Sequence, residues 1–311
     1  MTSQSTPTSI APERGGASVG DDHLPLLRGG RPRKRWRYVG VFCEELMACA
    51  ALVQVGPARQ SFWAIYTRED GRLRERTRML LGRGTAVELP RGRMSIHDRG
   101  VGLGLTLQED GGIEARCAHG ADASDEGGKI SGVEVNAPDT GEGALGVGEV
   151  WTRKQAGVRA HGTLTLPGGS PRAIEALAVI DDTVGYHARE TEWWWSAGVG
   201  TSEGGAALAW NLVAGVNDPP TGSERAVWVD GVPNETPPVC FAADLSEIVA
   251  RGPDDDSRLS FTAEAVRRRN ENLVVLRSNY TAPFGAFSGT LPGGIGLRSG
   301  LGVMEHHRAR W

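Results

Sequence analysis

Residues 158–166 read Val-Arg-Ala-His-Gly-Thr-Leu-Thr-Leu. Val158, Ala160, Gly162, Leu164 and Leu166 are apolar or small, while Arg159, His161, Thr163 and Thr165 are polar. A period of two puts the first set on one side of an extended strand and the second on the other. Pro167-Gly168-Gly169 then ends the run, since proline cannot donate to a ladder and glycine allows the turn. The pattern recurs along the chain. Trp36 to Cys43, Phe62 to Thr67, Leu103 to Leu107, Ala207 to Ala214, Ala226 to Asp230 and Leu273 to Tyr280 are short and rich in β-branched or aromatic residues, as strands are. Asp70-Gly71, Asp110-Gly111-Gly112 and Asp230-Gly231 lie between such runs and read as turns, since glycine can supply the positive φ that hairpin turns require. Only Glu44 to Leu52 and Leu245 to Arg251 leave room for a helical turn or two, and neither has a capped amphipathic stripe. The expected class is all-β and antiparallel, with little helix.

About 18 to 20 such segments exceed one eight-stranded barrel, so two lipocalin-like β-barrels, or curved double sheets, are expected side by side. A length of 311 residues suits two such cores. Glycine is about one residue in seven, 44 of 311, roughly twice the usual ~7%, which fits a turn-rich chain. The Gly/Pro break at Leu166 to Pro171 is the best boundary, giving a disordered tail over 1–27, a first barrel over 28–168 and a second over 169–311. Pro219-Pro220 and Pro237-Pro238 are comparable breaks, and direct comparison of the halves reveals no repeat. A net charge of −4 gives no global field drawing the chain to nucleic acid or an anionic membrane. Met1 to Gly20 has neither the basic nor the apolar region of a signal peptide, and no run approaches the ~18 apolar residues of a spanning helix, so no integral membrane association is expected. Cys43, Cys49, Cys117 and Cys240 form no CxxC pair and have no His partner at zinc-site spacing, and they read as buried reduced thiols. A cytoplasmic location is the expectation.

Three stretches carry a family resemblance. The first is Lys34-Arg35-Trp36-Arg37-Tyr38. The second is Gly185-Tyr186-His187-Ala188-Arg189 with Trp193-Trp194-Trp195, Asn211-Leu212 and Val229-Asp230-Gly231 downstream. The third is Phe284-Gly285-Ala286-Phe287-Ser288-Gly289, ending in Gly302-Val303-Met304-Glu305-His306 and Trp311. In this order they resemble the domain of unknown function 2804 family over roughly Leu26 to Trp311. More distantly, Gly-Tyr-His before a tryptophan cluster is similar to a motif of the carotenoid hydratase and tandem-lipocalin superfamily, which includes hydratases and cyclases of lipophilic substrates.

The stretch from His187 to Ala197 is densest in unusual residues. On one regular strand Arg189, Thr191, Trp193 and Trp195 share a face, and Glu190, Glu192 and Trp194 share the other. Inside a barrel, desolvation beside Trp194 would keep a carboxyl protonated near neutrality, so Glu192 is the preferred general acid. The plainer reading makes Glu190 and Glu192 a solvated outer face, with Trp193 and Trp195 in the core. His187 is a second catalytic candidate, with a structural role as its alternative. His306 and His307 point to opposite faces and cannot both bind one metal from the same face, though with Glu305 they could still contribute one ligand or one acid; Glu305 and His306 stand as ligand-binding candidates. Asn211 reads as a polar tip in an apolar cavity or as a buried amide satisfying backbone. Arg277 and Asn279 share a face and could fix a carboxylate or carbonyl. No metal and no cofactor are expected: there is no HxH or HxxxH pair, no dinucleotide or phosphate loop, and no nucleophile elbow. Six basic residues between Arg28 and Arg37 alternate with Trp36 and Tyr38 and read as an opening strand rather than a nucleic-acid site.

Two function classes follow. One is a protein holding a hydrophobic small molecule in a barrel mouth or between barrels, either as a carrier or as a cofactor-independent hydratase, cyclase or isomerase. The other is a structural or protein-interaction module with filled barrels and no cavity near ~300 Å³. Ligand identity and oligomeric state are not legible.

Overall fold

The computed structural model describes residues 24–79, 87–109, 112–118, 148–252, 255–273 and 276–310, so Asp110 and Gly111 of one expected turn lie outside the described residues. Among these there is no helix, and none long and apolar enough to cross a membrane. A clip of β1 (Leu27–Arg28) and β2 (Arg31–Pro32) leads into a ten-stranded sheet. Its strands are β3 (Lys34–Phe42), β4 (Leu46–Val55), β5 (Ala58–Thr67), β6 (Arg72–Met79), β7 (Val87–Glu88), β8 (Arg93–Asp98), β9 (Val101–Leu107), β10 (Ile113–Ala118), β11 (Glu149–Thr165) and β12 (Arg172–Gly185). A nine-stranded sheet follows, built from β13 (Glu190–Ser202), β14 (Ala207–Ala214), β15 (Ala226–Val229), β16 (Val232–Glu235), β17 (Val239–Phe241), β18 (Glu247–Ala250), β19 (Arg258–Leu273), β20 (Leu276–Leu291) and β21 (Ile295–Arg310).

The sheets share one plan. The first runs β6-β5-β4-β3-β12-β11-β9-β8-β7, with β10 on a second stretch of β11, and the second runs β16-β15-β14-β13-β21-β20-β19-β18-β17. In each, three strands meander outward from the opening strand, and that strand pairs antiparallel with the last, β3 with β12 and β13 with β21. The far edges curl back, β7 toward β4 and β5, and β17 toward β14. The molecule is thus two curled half-barrels of the same topology, a repeat that direct comparison of the sequence halves does not reveal.

Period-two alternation sorts the side chains into three layers. Val39, Val41, Ala48, Ala50, Trp63 and Ile65 face the interior of the first curl, where they meet Ile96, Leu103 and Leu164. Leu208, Trp210, Leu212, Phe287 and Met304 fill the second. The intervening residues, Tyr38, Cys49, Ala51, Phe62 and Ala64 from one sheet and Trp195, Ala197, Val213, Tyr280 and Val303 from the other, form a third core between them.

Three expectations need correction. The Gly/Pro break at 166–171 is the turn of the β11–β12 hairpin, because β12 pairs along both β11 and β3; the chain crosses to the second sheet at 186–189. Gly and Pro mark any tight turn, and the real crossing carries no proline. The candidate helical stretches are instead strand β4 and a turn at Leu245, whose φ is 61°, leading into β18. Finally, most of the expected tail lies outside the described residues, but Leu24 is buried against Trp151, Val184 and Tyr186, so the segment read as tail is packed by residue 24.

Candidate functional site

Apolar side chains pack the interior of both curls, and among the described residues two spaces are bounded by both sheets: an open cleft of about 1400 Å³ beside Phe42, Arg159, Trp228 and Arg298, and a more enclosed one. A cavity of about 180 Å³ is walled by Tyr38, Ala51, Val53 and Phe62 of the first sheet and by Trp193, Trp195, Val213 and Tyr280 of the second. Exposed Arg59, Met79 and Arg269 mark its open end. The walls are aromatic and aliphatic because these are the faces that alternation turns toward the opposite sheet.

Glu305 sits in this wall, 7% exposed. Trp193 Nε1 donates to its Oε1 at 2.8 Å. Burial pushes the carboxyl up to about 7, against the pull of hydrogen bonds from Trp193 and Tyr280 and of the Arg267 charge. Near neutral pH it is therefore poised between acid and carboxylate. Two residues along the same face of β21, the His307 ring packs against Trp193 at 4.2 Å and Tyr280 at 5.2 Å between centroids. Its Nε2 lies 2.8 Å from Ser278 Oγ and its Nδ1 3.9 Å from Glu305 Oε1. Burial, then the charges of His306 and Arg267, push it down to about 3, so it is neutral. Arg267 crosses from the second sheet to the first, its guanidinium 4.1 Å from the Phe62 ring and 4.9 Å from Tyr280; it forms an ion pair with Glu75 at 3.0 Å and donates to Thr77 Oγ1 at 3.0 Å. An acid and a neutral imidazole thus stand side by side among aromatic faces.

A second polar cluster lies along the same cavity. Lys154 Nζ is 2.5 Å from Asp181 Oδ1 and 3.4 Å from Glu224 Oε2. Burial disfavours its charge, but the two carboxylates outweigh this and hold its pKa above the ordinary value. Trp36 Nε1 donates to Asp181 Oδ2 at 3.0 Å, and Asn217 Nδ2 to Glu224 Oε2 at 3.1 Å. Among the described residues no three His, Cys, Asp or Glu side chains gather as metal ligands do.

The structure divides the expected site residues. Trp193, Trp195, His187 and Glu305 line the cavity; His187 is buried with its ring 5.0 Å from that of Trp36. Glu192 does not line it. Its side chain is 36% exposed on the other face of β13, bonded to His306 Nε2 at 2.9 Å and 3.6 Å from Arg308. Trp194 shares that face, stacked on His306 at 4.6 Å. The plainer reading of the glutamate face is therefore the observed one: a half-solvated ion-pair row completed by Glu190 and Arg310 at 3.3 Å. Arg189 is exposed and reaches the Gly30 carbonyl at 3.4 Å. Arg277 and Asn279 are exposed on β20, whose other face gives Ser278 and Tyr280 to the cavity. Asn211 is the buried, satisfied amide. It accepts from Trp195 Nε1 at 2.8 Å and donates to the Glu224 carbonyl at 2.7 Å, so it fixes the Trp195 ring. Sequence reasoning missed Tyr280 and Arg267, and it weighed His307 only with His306 and Glu305 as a source of one ligand or one acid; the spacing of His307 from Glu305, which puts both on one strand face, was the signal that joins them.

Two like-folded half-barrels with an aromatic cavity between them define a double lipocalin-like β protein. The chain belongs to the family described as domain of unknown function (DUF2804), whose profile matches residues 24–311. Among solved structures it is similar to an AttH-type protein of Nitrosomonas europaea, at 13% identity over 96% of this chain and 98% of that one, with a TM-score of 0.53. It is also similar to kievitone hydratase of Nectria haematococca, at 10% identity over 94% and 95%, with a TM-score of 0.48. No curated protein matches the sequence.

Proposed function

We propose that the chain binds a lipophilic small molecule between its half-barrels and transfers a proton to it from Glu305, as a cofactor-independent hydratase, cyclase or isomerase. The observation that carries this reading is a carboxyl buried in an aromatic wall and oriented by an indole N–H. Desolvation keeps a large fraction of it protonated near pH 7, where a general acid must hold its proton. Adding a proton to an alkene or alcohol in such a site needs no redox partner, and the aromatic faces favour the positive charge that develops. The carboxylate left on Glu305 after the transfer, with its pKa near 7, is the group that can take a proton back. The cavity is below the ~300 Å³ where drug-sized sites begin, so the ligand is compact or extends through the mouth past Arg59 and Arg269.

Filled barrels favour the other class, a structural or protein-interaction module; within the ligand-binding class the choice is between an enzyme and a carrier that uses the cavity without chemistry. The two separate when the protein is incubated in D₂O with a neutral-lipid extract of its host. Wild type is expected to place carbon-bound deuterium in a lipophilic compound, and Glu305→Gln to bind the same compound without labelling it. Equal labelling by Glu305→Gln removes Glu305 from the mechanism, and no labelling by either leaves the carrier.

A further inference from the structure

The chain uses arginine almost everywhere it needs a cation. Of its 34 basic residues only three are lysine: Lys34, Lys129 and Lys154. Two of these line the same cavity and are buried, although lysine is ordinarily among the residues least often buried. Their settings differ. Lys154 is held as an ammonium by Asp181 and Glu224, as described above. Lys34 is 1% exposed, and its Nζ donates to the main-chain carbonyl of Ala188 at 3.0 Å. Burial, then the charge of Arg31, push it down to about 6. Arginine cannot give up its proton in a protein, whereas a buried lysine does so readily and then carries a nucleophilic lone pair. On β3, Lys34 lies on the same strand face as Trp36 and Tyr38, both of which line the cavity, so an amine and an apolar binding surface are presented together.

We propose that Lys34 forms an imine with the carbonyl group of an aldehyde or ketone held in this cavity. The amine lone pair attacks the carbonyl carbon and the C=O π pair moves to oxygen. The two amine protons pass to that oxygen, which leaves as one water while the C=N bond forms. No oxidant, reductant or cofactor enters the balance. This assignment goes beyond the proton transfer from Glu305; it shares the cavity with that reading and requires nothing of the carboxyl.

Hexanal with sodium cyanoborohydride tests it directly, since hydride fixes an imine as a stable secondary amine that peptide mapping locates. Near pH 7 the native protein is expected to be alkylated at Lys34 faster than an equimolar Nα-acetyl-lysine amide added as reference, by roughly tenfold or more, because an ordinary lysine with its pKa near 10.4 is almost wholly ammonium there. Denaturation should abolish the preference, and Lys34→Met and Lys34→Arg should each lose the Lys34 adduct. The wild-type comparison stands even if a variant fails to fold. A smaller ratio, or alkylation of Lys34 only after denaturation, overturns the assignment. Because no turnover is read, this failure is distinct from failure of the Glu305 reading.

Discussion

At Glu305 burial opposes ionisation more strongly than two hydrogen bonds and one guanidinium favour it, and this has a consequence for folding. The carboxyl titrates near 7 in the fold against 4.5 as its ordinary value, so between those values the folded state holds more of its proton than the unfolded state. Stability contributed by this group is then full below about pH 4.5 and lost as pH rises toward 7, by about 3 kcal/mol. His307 acts with the opposite sign. It titrates near 3 in the fold against 6.5, so its unfolded form binds the extra proton and stability rises with pH across that window. The two offset each other between about 4.5 and 6.5, which hides both in a single profile. Comparing Glu305→Gln with wild type cancels the histidine. Relative to wild type, the variant is expected to gain about 3 kcal/mol between pH 4.5 and 8 in denaturant unfolding, and parallel profiles would show that the carboxyl is not desolvated. The sequence was partly legible here. Alternation correctly separated Trp193 and Trp195 from Glu192 and Trp194, but nothing local to β13 says which face meets the other sheet. That depends on pairing with β21, whose partner residues lie 95 to 120 positions away, and this pairing puts Glu305 rather than Glu192 in the cavity wall.

The strands are long and bend at defined points. β11 pairs with β10 over Glu149–Lys154 and with β9 over Ala160–Thr165, and its register with β12 shifts between Ala156 and Val158. Gly157 at that bulge has φ of 76°, where a side chain costs roughly 1–2 kcal/mol. An added Cβ would meet Ala209 at 3.5 Å, ordinary contact. Gly157→Ala is therefore expected to destabilise by about that amount through backbone strain. Gly162 is a different case. Its added Cβ would lie 1.9 Å from the Gly104 carbonyl oxygen, whereas one added at Gly104 meets nothing within 4 Å. Thermal melts should show Gly162→Ala losing more than about 2 kcal/mol and Gly104→Ala staying within roughly 0.5; comparable losses would mean the β9–β11 contact is not as close as described. Strand existence and hairpin turns were readable at this scale, because period two and Asp-Gly signals are local. The β11–β12 hairpin was misread as a domain boundary because a turn within a sheet and a link between sheets use the same residues.

For the whole molecule, the repeated strand plan leaves two sheets whose outer faces must meet, and the meeting is partly ionic. Lys154 of the first sheet lies between Asp181 and Glu224, the latter following β14 of the second. Removing the ammonium leaves two buried carboxylates facing each other without their cation, so Lys154→Met should cost on the order of 3–5 kcal/mol. Urea unfolding measures this, and a neutral result would mean that the Lys154 cluster does not help hold the sheets together. The duplication was not legible because topology can persist after side chains diverge, and the cavity was not because it exists only once both sheets are placed. The central claim is that this space between the half-barrels receives a lipophilic guest. Native mass spectrometry of the protein purified from its own host tests it, alongside Val213→Phe, which places an aromatic ring where Val213 lines the wall. The account predicts a retained hydrophobic compound in wild type that is missing from Val213→Phe; wild type arriving empty, or both proteins carrying the compound equally, would contradict it.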